Sequence, residues 1–318
     1  MLQIKNSGNK QQPTISVPDQ SHINVLPIPS NPDDQEARFQ VHNNNSVHID
    51  NSKQLFIMVL SGRKDKSKRD GIRETWAKTM NNKNIAFLVG ETACKYSPDL
   101  VESWTCDLKS NFKSKSSESL FNSEKQQKYE IAEGRITDSI LEEDLTLVVP
   151  MMDFYRGLPR KLKLGYKWVL ENTDAKWIAK TDDDMFVKPD ELEKLVKNYN
   201  PDENLIIGKI AKGWGVARGG KWAEKVYPKS NYPDFPVGSA GHIISRPVAE
   251  YIVRNIDKLH DYQGEDTSMG IWMAENKEFK VKFVNDAHLS NLGKCDLEGK
   301  FIVGHNINPA KMKQCYEG

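Results

Sequence analysis

Every position of Leu55-Phe56-Ile57-Met58-Val59-Leu60 is apolar, and the run stops at Ser61-Gly62. A strand with one face in water alternates apolar and polar residues. An unbroken apolar run suits a strand covered on both faces, as in a parallel sheet with helices above and below. The pattern recurs. Ile85-Ala86-Phe87-Leu88-Val89 ends at Gly90, Leu145-Thr146-Leu147-Val148-Val149 is ended by Pro150, and Trp177-Ile178-Ala179-Lys180-Thr181 forms a fourth candidate strand. Between them lie helical patterns. Ile72, Trp76 and Met80 recur every fourth residue within 63–80, residues 124–144 are charged and helical, and Leu158 to Leu170 reads as a helix. Pro189-Asp190-Glu191 opens another, with proline in its first turn and acids at its positive end. Residues 94–123 are polar and read as a loop or irregular helix. Strands alternating with helices specify an α/β fold with parallel order.

The chain before this pattern is different. Residues 1–53 are rich in Asn, Gln, Ser, Pro and Asp, and Pro27-Ile28-Pro29-Ser30-Asn31-Pro32 cannot enter a helix or a central strand. Such a composition buries too little apolar surface to offset the entropy of ordering, so it reads as a disordered stem or linker, with one folded domain over 54–318. Asn44-Asn45-Ser46 in that stem is a glycosylation sequon. With 45 basic and 44 acidic side chains, the chain has no general pull toward nucleic acid or anionic membrane. No apolar stretch is long enough to span a membrane. Cys94, Cys106, Cys295 and Cys315 form no C-x-x-C pair, which argues against a zinc ribbon. Two disulfides and an oxidising compartment fit the even count; four scattered free thiols fit the spacing as well.

Asp182-Asp183-Asp184 follows the fourth strand directly. In open α/β sheets ligands bind beyond the carboxyl ends of the strands. Three adjacent carboxylates repel one another, and a cation relieves that. Hard oxygen ligands select Mg²⁺ or Mn²⁺. In extended backbone Asp182 and Asp184 point one way and Asp183 the other. A solvated acidic turn before the Pro189 helix explains the triplet equally simply, and composition alone does not name a reaction.

Five blocks in order carry a resemblance. They are Arg69-Asp70-Gly71-Ile72-Arg73-Glu74-Thr75-Trp76; Asp153-Phe154-Tyr155 through Leu158, Lys161 and Trp168; Lys180-Thr181-Asp182-Asp183-Asp184; Tyr232-Pro233 with Gly238-Ser239-Ala240-Gly241 and Ser245; and Gly264-Glu265-Asp266-Thr267-Ser268-Met269-Gly270. Together, from Leu55 to Cys315, the chain resembles glycosyltransferase family 31, the β-1,3-galactosyltransferase and N-acetylhexosaminyltransferase group. Glu265 to Ala274 looks most like the galactosaminyl- and xylosylprotein-galactosyltransferase branches.

The resemblance implies a GT-A fold, a Rossmann-like nucleotide half followed by an acceptor half. It implies inverting, Mn²⁺-dependent transfer (Mg²⁺ as a substitute) of a hexose from a UDP-sugar to the 3-hydroxyl of a glycan acceptor. It makes Asp182 and Asp184 metal and nucleotide residues, with His305 the remaining metal ligand and His288 and His242 its rivals. It makes Asp266 the catalytic base, with Glu265 next; helix capping by this pair is the simpler alternative. Arg69 and Arg73, four residues apart, are candidates for uridine or diphosphate, since guanidinium forks match phosphate oxygens. Lys180 and Asp183 belong to the same donor-binding motif. Trp214 would pack on the donor, and Gly238 and Gly241 would let backbone approach the sugar. Thr267 and His242 depart from the family pattern, which bears on substrate choice. Family members are usually Golgi proteins, so a eukaryotic source implies the Golgi lumen. A catalytically silent UDP-sugar or glycan binder on the same fold is the rival reading. A metal-dependent phosphohydrolase leaves the Arg73–Trp76 and Glu265–Gly270 blocks unexplained.

Overall fold

The computed structural model describes residues 47–293 and 300–318. Most of the expected stem, the sequon and Cys295 lie outside the described residues. Val47 is buried against the domain, and His48 pairs with Lys83 as an isolated bridge.

The chain begins with β1 (Leu55–Leu60), α1 (Lys66–Glu74) and β2 (Ile85–Thr92). Then come α2 (Ser117–Phe121), α3 (Glu124–Glu142), β3 (Thr146–Met152), α4 (Leu158–Asn172) and β4 (Trp177–Asp182). The second half holds β5 (Phe186–Val187), α5 (Pro189–Val196), β6 (Leu205–Gly208), β7 (Ile210–Ala211), β8 (Phe235–Pro236) and β9 (His242–Ser245). It finishes with α6 (Arg246–Arg254), α7 (Glu265–Glu275), β10 (Lys282–Asn285), β11 (Val303–Gly304) and α8 (Pro309–Glu317).

Seven strands form the main sheet in the order β10-β6-β9-β4-β1-β2-β3. All neighbours are parallel except β9, which runs antiparallel to both β4 and β6. The α/β reading holds, with a mixed rather than wholly parallel sheet. Its apolar runs are double-faced as their composition demands. Phe56, Met58 and Leu60 of β1 enter one core with Trp168 of α4, Val248 of α6 and Trp272 of α7. Leu55, Ile57 and Val59 enter the other with Ile72, Trp76, Leu192 and Met312.

Three local readings change. The helix expected through Met80 breaks at Thr75, and Trp76–Met80 continues as a 3-10 turn. The Thr75 hydroxyl donates back to Gly71 O, and the Trp76 indole donates to Met185 O at 3.0 Å, turning that ring under the acidic triplet. Strand β3 does not stop at Pro150 but runs to Met152. It is an edge strand, where a proline lacks no ladder partner. The polar 94–123 stretch contains α2 and a Cys94–Cys106 disulfide. Cys315 is also disulfide-bonded.

Candidate active site

The carboxyl ends of β1, β2, β3 and β4 open onto one cleft of about 1280 Å³. That exceeds the ~300–1,000 Å³ of an ordinary small-molecule pocket and leaves room for two ligands side by side.

The floor is set by Lys180. Strand alternation places Lys180 and Asp182 on the same side of β4. The lysine is fully buried, and its ammonium lies 2.8 Å from Asp182 Oδ1, 2.8 Å from Glu265 Oε1 and 3.2 Å from Gly238 O. A buried ammonium survives only when paired. Burial would lower the Lys180 pKa, but the two carboxylates outweigh it and hold it raised and charged. Burial pushes the Asp182 carboxyl up to about 7, with Lys180 pulling it down and the Glu265 charge pushing it up. Lys180 was expected to touch the donor; the structure instead seats it beneath the cleft, joining the triplet to the start of α7. Next to it, burial drives His242 down to about 3, so its ring is neutral, paired with the Tyr166 hydroxyl at 3.1 Å. His242 is buried and does not line the cleft.

Asp183 turns the other way, as alternation requires. It accepts hydrogen bonds from Ser61 Oγ at 2.7 Å and from the Lys68 ammonium at 3.0 Å. Burial alone would lower Lys68, but Asp183 and Asp65 push it up to about 12. Asp184 faces the cleft. Its Oδ1 is buried and has no hydrogen-bond partner, while Oδ2 lies 3.7 Å from His305 Nε2. Chain pairing brings that histidine in. Strand β11 pairs antiparallel with β5, just past the triplet, and Ile307 N donates to Asp184 O at 2.8 Å. His288 instead meets Asp286 at 2.9 Å and lies outside the cleft lining.

An unpartnered buried carboxylate oxygen beside an imidazole is a donor set that suits a divalent cation accepting oxygen and nitrogen. Among the described residues no group of three or more His, Cys, Asp or Glu forms a ready-made metal site. Asp184 and His305 are two such donors and do not by themselves complete a site.

Helix α7 starts at Glu265, with Glu265 and Asp266 in its first turn, where the helix dipole favours acids. Their side chains diverge. Glu265 is committed to Lys180. Asp266 reaches the cleft, accepting from Gly238 N at 3.0 Å through Oδ2 and from Thr267 N at 2.7 Å through Oδ1. Burial first, then the Glu265 charge, push its carboxyl up to about 6 despite those donors. Gly238 is required here, because a Cβ would come 2.6 Å from Glu265 Oε1. Gly241 does not line the cleft. Its φ of +67° and the 2.9 Å approach a Cβ would make to Lys180 O show that it serves the turn into β9.

Arg69 and Arg73 need correction. They share one helix face, as their spacing requires, but that face packs on Glu143 and not on the cleft. Arg69 is fully buried, with Nε and Nη2 at 2.7 and 2.9 Å from the two Glu143 oxygens, and it also donates to Ser61 Oγ and Gly62 O. Arg73 meets Glu143, Asp70 and Asp144 O. They brace α1 against the turn before β3. The cation that α1 does send to the cleft is Lys68, which the motif reading passed over. Trp214, expected to pack on the donor, lines the cleft, edge-on to Phe235 at 5.6 Å. Trp104 and Trp222 line it too and were not foreseen, and so does Tyr155, which the second motif block contained without a site role. Nothing in spacing signals the two tryptophans, since they stand on separate loops.

Comparison with known proteins identifies the family. The family described as Galactosyltransferase matches residues 122–285. The chain is 37% identical over 150 residues to "UDP-GalNAc:beta-1,3-N-acetylgalactosaminyltransferase 2" of Mus musculus, covering 45% of this chain and 30% of that protein. It is 31% identical over 174 residues to "Beta-1,3-galactosyltransferase GALT1" of Arabidopsis thaliana, covering 52% of this chain and 26% of that one. The chain thus spans less than a third of the length of these relatives. A solved structure titled "Crystal structure of a glycosyltransferase involved in the glycosylation of the major capsid of PBCV-1" is similar at a TM-score of 0.35 and 9% identity, covering 82% of this chain and 98% of that one.

Proposed function

The chain belongs to the galactosyltransferase family, glycosyltransferase family 31, and from that premise we propose that it is an inverting, metal-dependent β-1,3-glycosyltransferase on a GT-A fold. The donor is a UDP-hexose, galactose or an N-acetylhexosamine, and the acceptor is the 3-hydroxyl of a glycan. The observation that carries this is the pairing of two differently equipped carboxylates on one cleft. Asp184 offers an unpartnered oxygen beside His305, and Asp266 offers a carboxylate of raised pKa.

Asp184 and His305 would hold Mn²⁺ or Mg²⁺, with Asp182 beside them. When bound, the cation neutralises the donor diphosphate and the charge left on the departing UDP. Asp266 takes the proton from the acceptor hydroxyl as its oxygen attacks the anomeric carbon. The new C–O bond forms on one face while the bond to UDP breaks on the other, which inverts the anomeric centre. Glu265 is not free to be the base, since Lys180 holds it. Asp183 fixes the triplet to the end of β1. The cleft volume fits donor and acceptor together. The Cys94–Cys106 disulfide fits an oxidising compartment such as the Golgi lumen. Among the described residues no helix is long and apolar enough to cross a membrane.

The test is turnover of UDP-galactose, UDP-N-acetylgalactosamine and UDP-N-acetylglucosamine with Mn²⁺, with and without glycan acceptors. UDP release that needs acceptor is the expected result. Mn²⁺-dependent UDP binding without turnover would replace it by the silent-binder reading. Asp184→Ala is expected to weaken Mn²⁺-dependent UDP binding by at least about tenfold, since a ligand lost from a metal site costs that much or more; titration calorimetry reads it. Because a base must be ionised, transfer is expected to fall as pH drops through about 6, the value to which Asp266 is raised. Below it the rate should lose about tenfold per pH unit, read as kcat/KM for the acceptor. A flat acid limb would remove Asp266 from the role.

A further inference from the structure

The chain has seven tryptophans. Trp76, Trp168, Trp177 and Trp272 are core residues, each no more than 4% exposed. The other three, Trp104 at 46%, Trp214 at 54% and Trp222 at 62%, all line the one cleft that holds Asp184 and Asp266. Exposed apolar rings gathered in one cleft, unlike rings scattered singly, mark a binding surface. Trp214 leans on Phe235, beside the Gly238 turn. Trp104 and Trp222 form a second group with Tyr155. Trp104 meets Tyr155 edge-on at 5.7 Å, and the Lys221 ammonium lies 4.9 Å from the Trp104 ring centre, 4.4 Å from that of Tyr155 and 5.7 Å from that of Trp222. This is a cation gripping three rings from three separate segments.

Trp104 reaches that group at a cost. Its φ is +73°, in the left-handed region that side chains such as tryptophan rarely adopt. Strain of this kind persists where the surroundings enforce it, and it clusters at ligand sites. Here the enforcement is local. The Cys94–Cys106 disulfide closes the loop, Glu102 N donates to Asp107 O at 2.7 Å, and Arg156 N donates to Trp104 O at 3.1 Å. The loop lies outside the 122–285 segment that the family match covers. Trp104, Tyr155, Lys221 and Trp222 line the same cleft as Asp266.

We propose that Trp104 and Trp222, clamped by Lys221 and presented by the disulfide-closed 94–106 loop, form the subsite for a pyranose ring of the acceptor glycan, an inference that rests on the transferase reading above. Indole faces match the C–H faces of a pyranose. The site lies in the same cleft as Asp266, which must meet the acceptor hydroxyl. Asp184 and His305, which would serve the diphosphate, line that cleft as well.

The test uses the full chain with Trp104→Ala, Trp222→Ala and the Cys94→Ser/Cys106→Ser pair, checked for an unchanged unfolding midpoint. The probes are methyl β-glycosides of galactose, N-acetylglucosamine, N-acetylgalactosamine and xylose. Each variant is expected to raise the acceptor KM at least about tenfold while the UDP-sugar KM stays put, because removing an indole face deletes a large apolar contact. An unchanged acceptor KM in the tryptophan variants overturns the proposal. So does a rise in the UDP-sugar KM alone, which would give these rings to the donor. Saturation-transfer NMR with the same glycosides separates this inference from the activity. If the wild type turns over no donor yet contacts a glycoside that Trp104→Ala does not, the subsite stands and the transferase reading falls. If no glycoside binds the wild type, the subsite falls.

Discussion

Asp266→Asn is expected to lower transfer by about 10²–10⁴-fold while leaving Mn²⁺-dependent UDP binding intact, the span that a positioned general base contributes. The substitution suits the question because it keeps the shape. An asparagine oxygen can still accept from Gly238 N or Thr267 N, which hold the aspartate now at 3.0 and 2.7 Å. What it loses is the ability to take a proton. Because Asp266 is held by Gly238 N and Thr267 N rather than by Asp184 or His305, UDP binding should not register the change. Single-turnover assays with saturating donor, beside calorimetric titration with UDP, read the two effects separately. Full transfer by Asp266→Asn would sink the assignment. The raised carboxyl near 6 adds a second constraint on the same residue. The wild type's acid limb should be absent from whatever residual activity the asparagine variant keeps.

How much of this was legible in the residues differs by level. The strands were, because burial on both faces leaves an unbroken apolar run such as Leu55–Leu60, and β1 indeed enters both cores. The antiparallel β9 was not, since His242-Ile243-Ile244-Ser245 is too short to declare its direction. At the site, alternation foretold that Asp183 would leave the side of Asp182 and Asp184, and it meets Ser61 and Lys68. Spacing put Arg69 and Arg73 on one helix face but could not say what that face would touch. Glu143, some seventy residues on, claimed both guanidinium groups. The motif resemblance singled out Asp182, Asp184 and Asp266, all of which line the cleft. It missed Trp104 and Trp222 because aromatic residues on loops are recognised by exposure, which only the fold reveals.

Lys180 carries the second large expectation. A lysine inside the apolar run Trp177–Thr181 looks out of place in sequence, and its environment explains it: one ammonium joins Asp182, Glu265 and Gly238 O across three segments of the site. Removing one partner of a buried ionic group costs about 3–5 kcal/mol, because the charges left behind remain desolvated. Lys180→Met is therefore expected to lower the unfolding midpoint by roughly 10 °C in a domain of this size. The kinetic signature distinguishes a positioning role from mere loss of stability. Without the ammonium, the Glu265 charge acts on Asp266 unopposed, so the Asp266 carboxyl should rise further and the acid limb of kcat/KM should move to higher pH. Glu265→Gln in the Lys180→Met background removes that charge. It should move the limb back and recover part of the stability, a coupling that a double-mutant cycle measures directly. A limb that stays in place in Lys180→Met would leave the lysine a structural residue only. A limb that moves up with the single change and back with the second would make Lys180 the link through which the acidic triplet and the start of α7 act as one site.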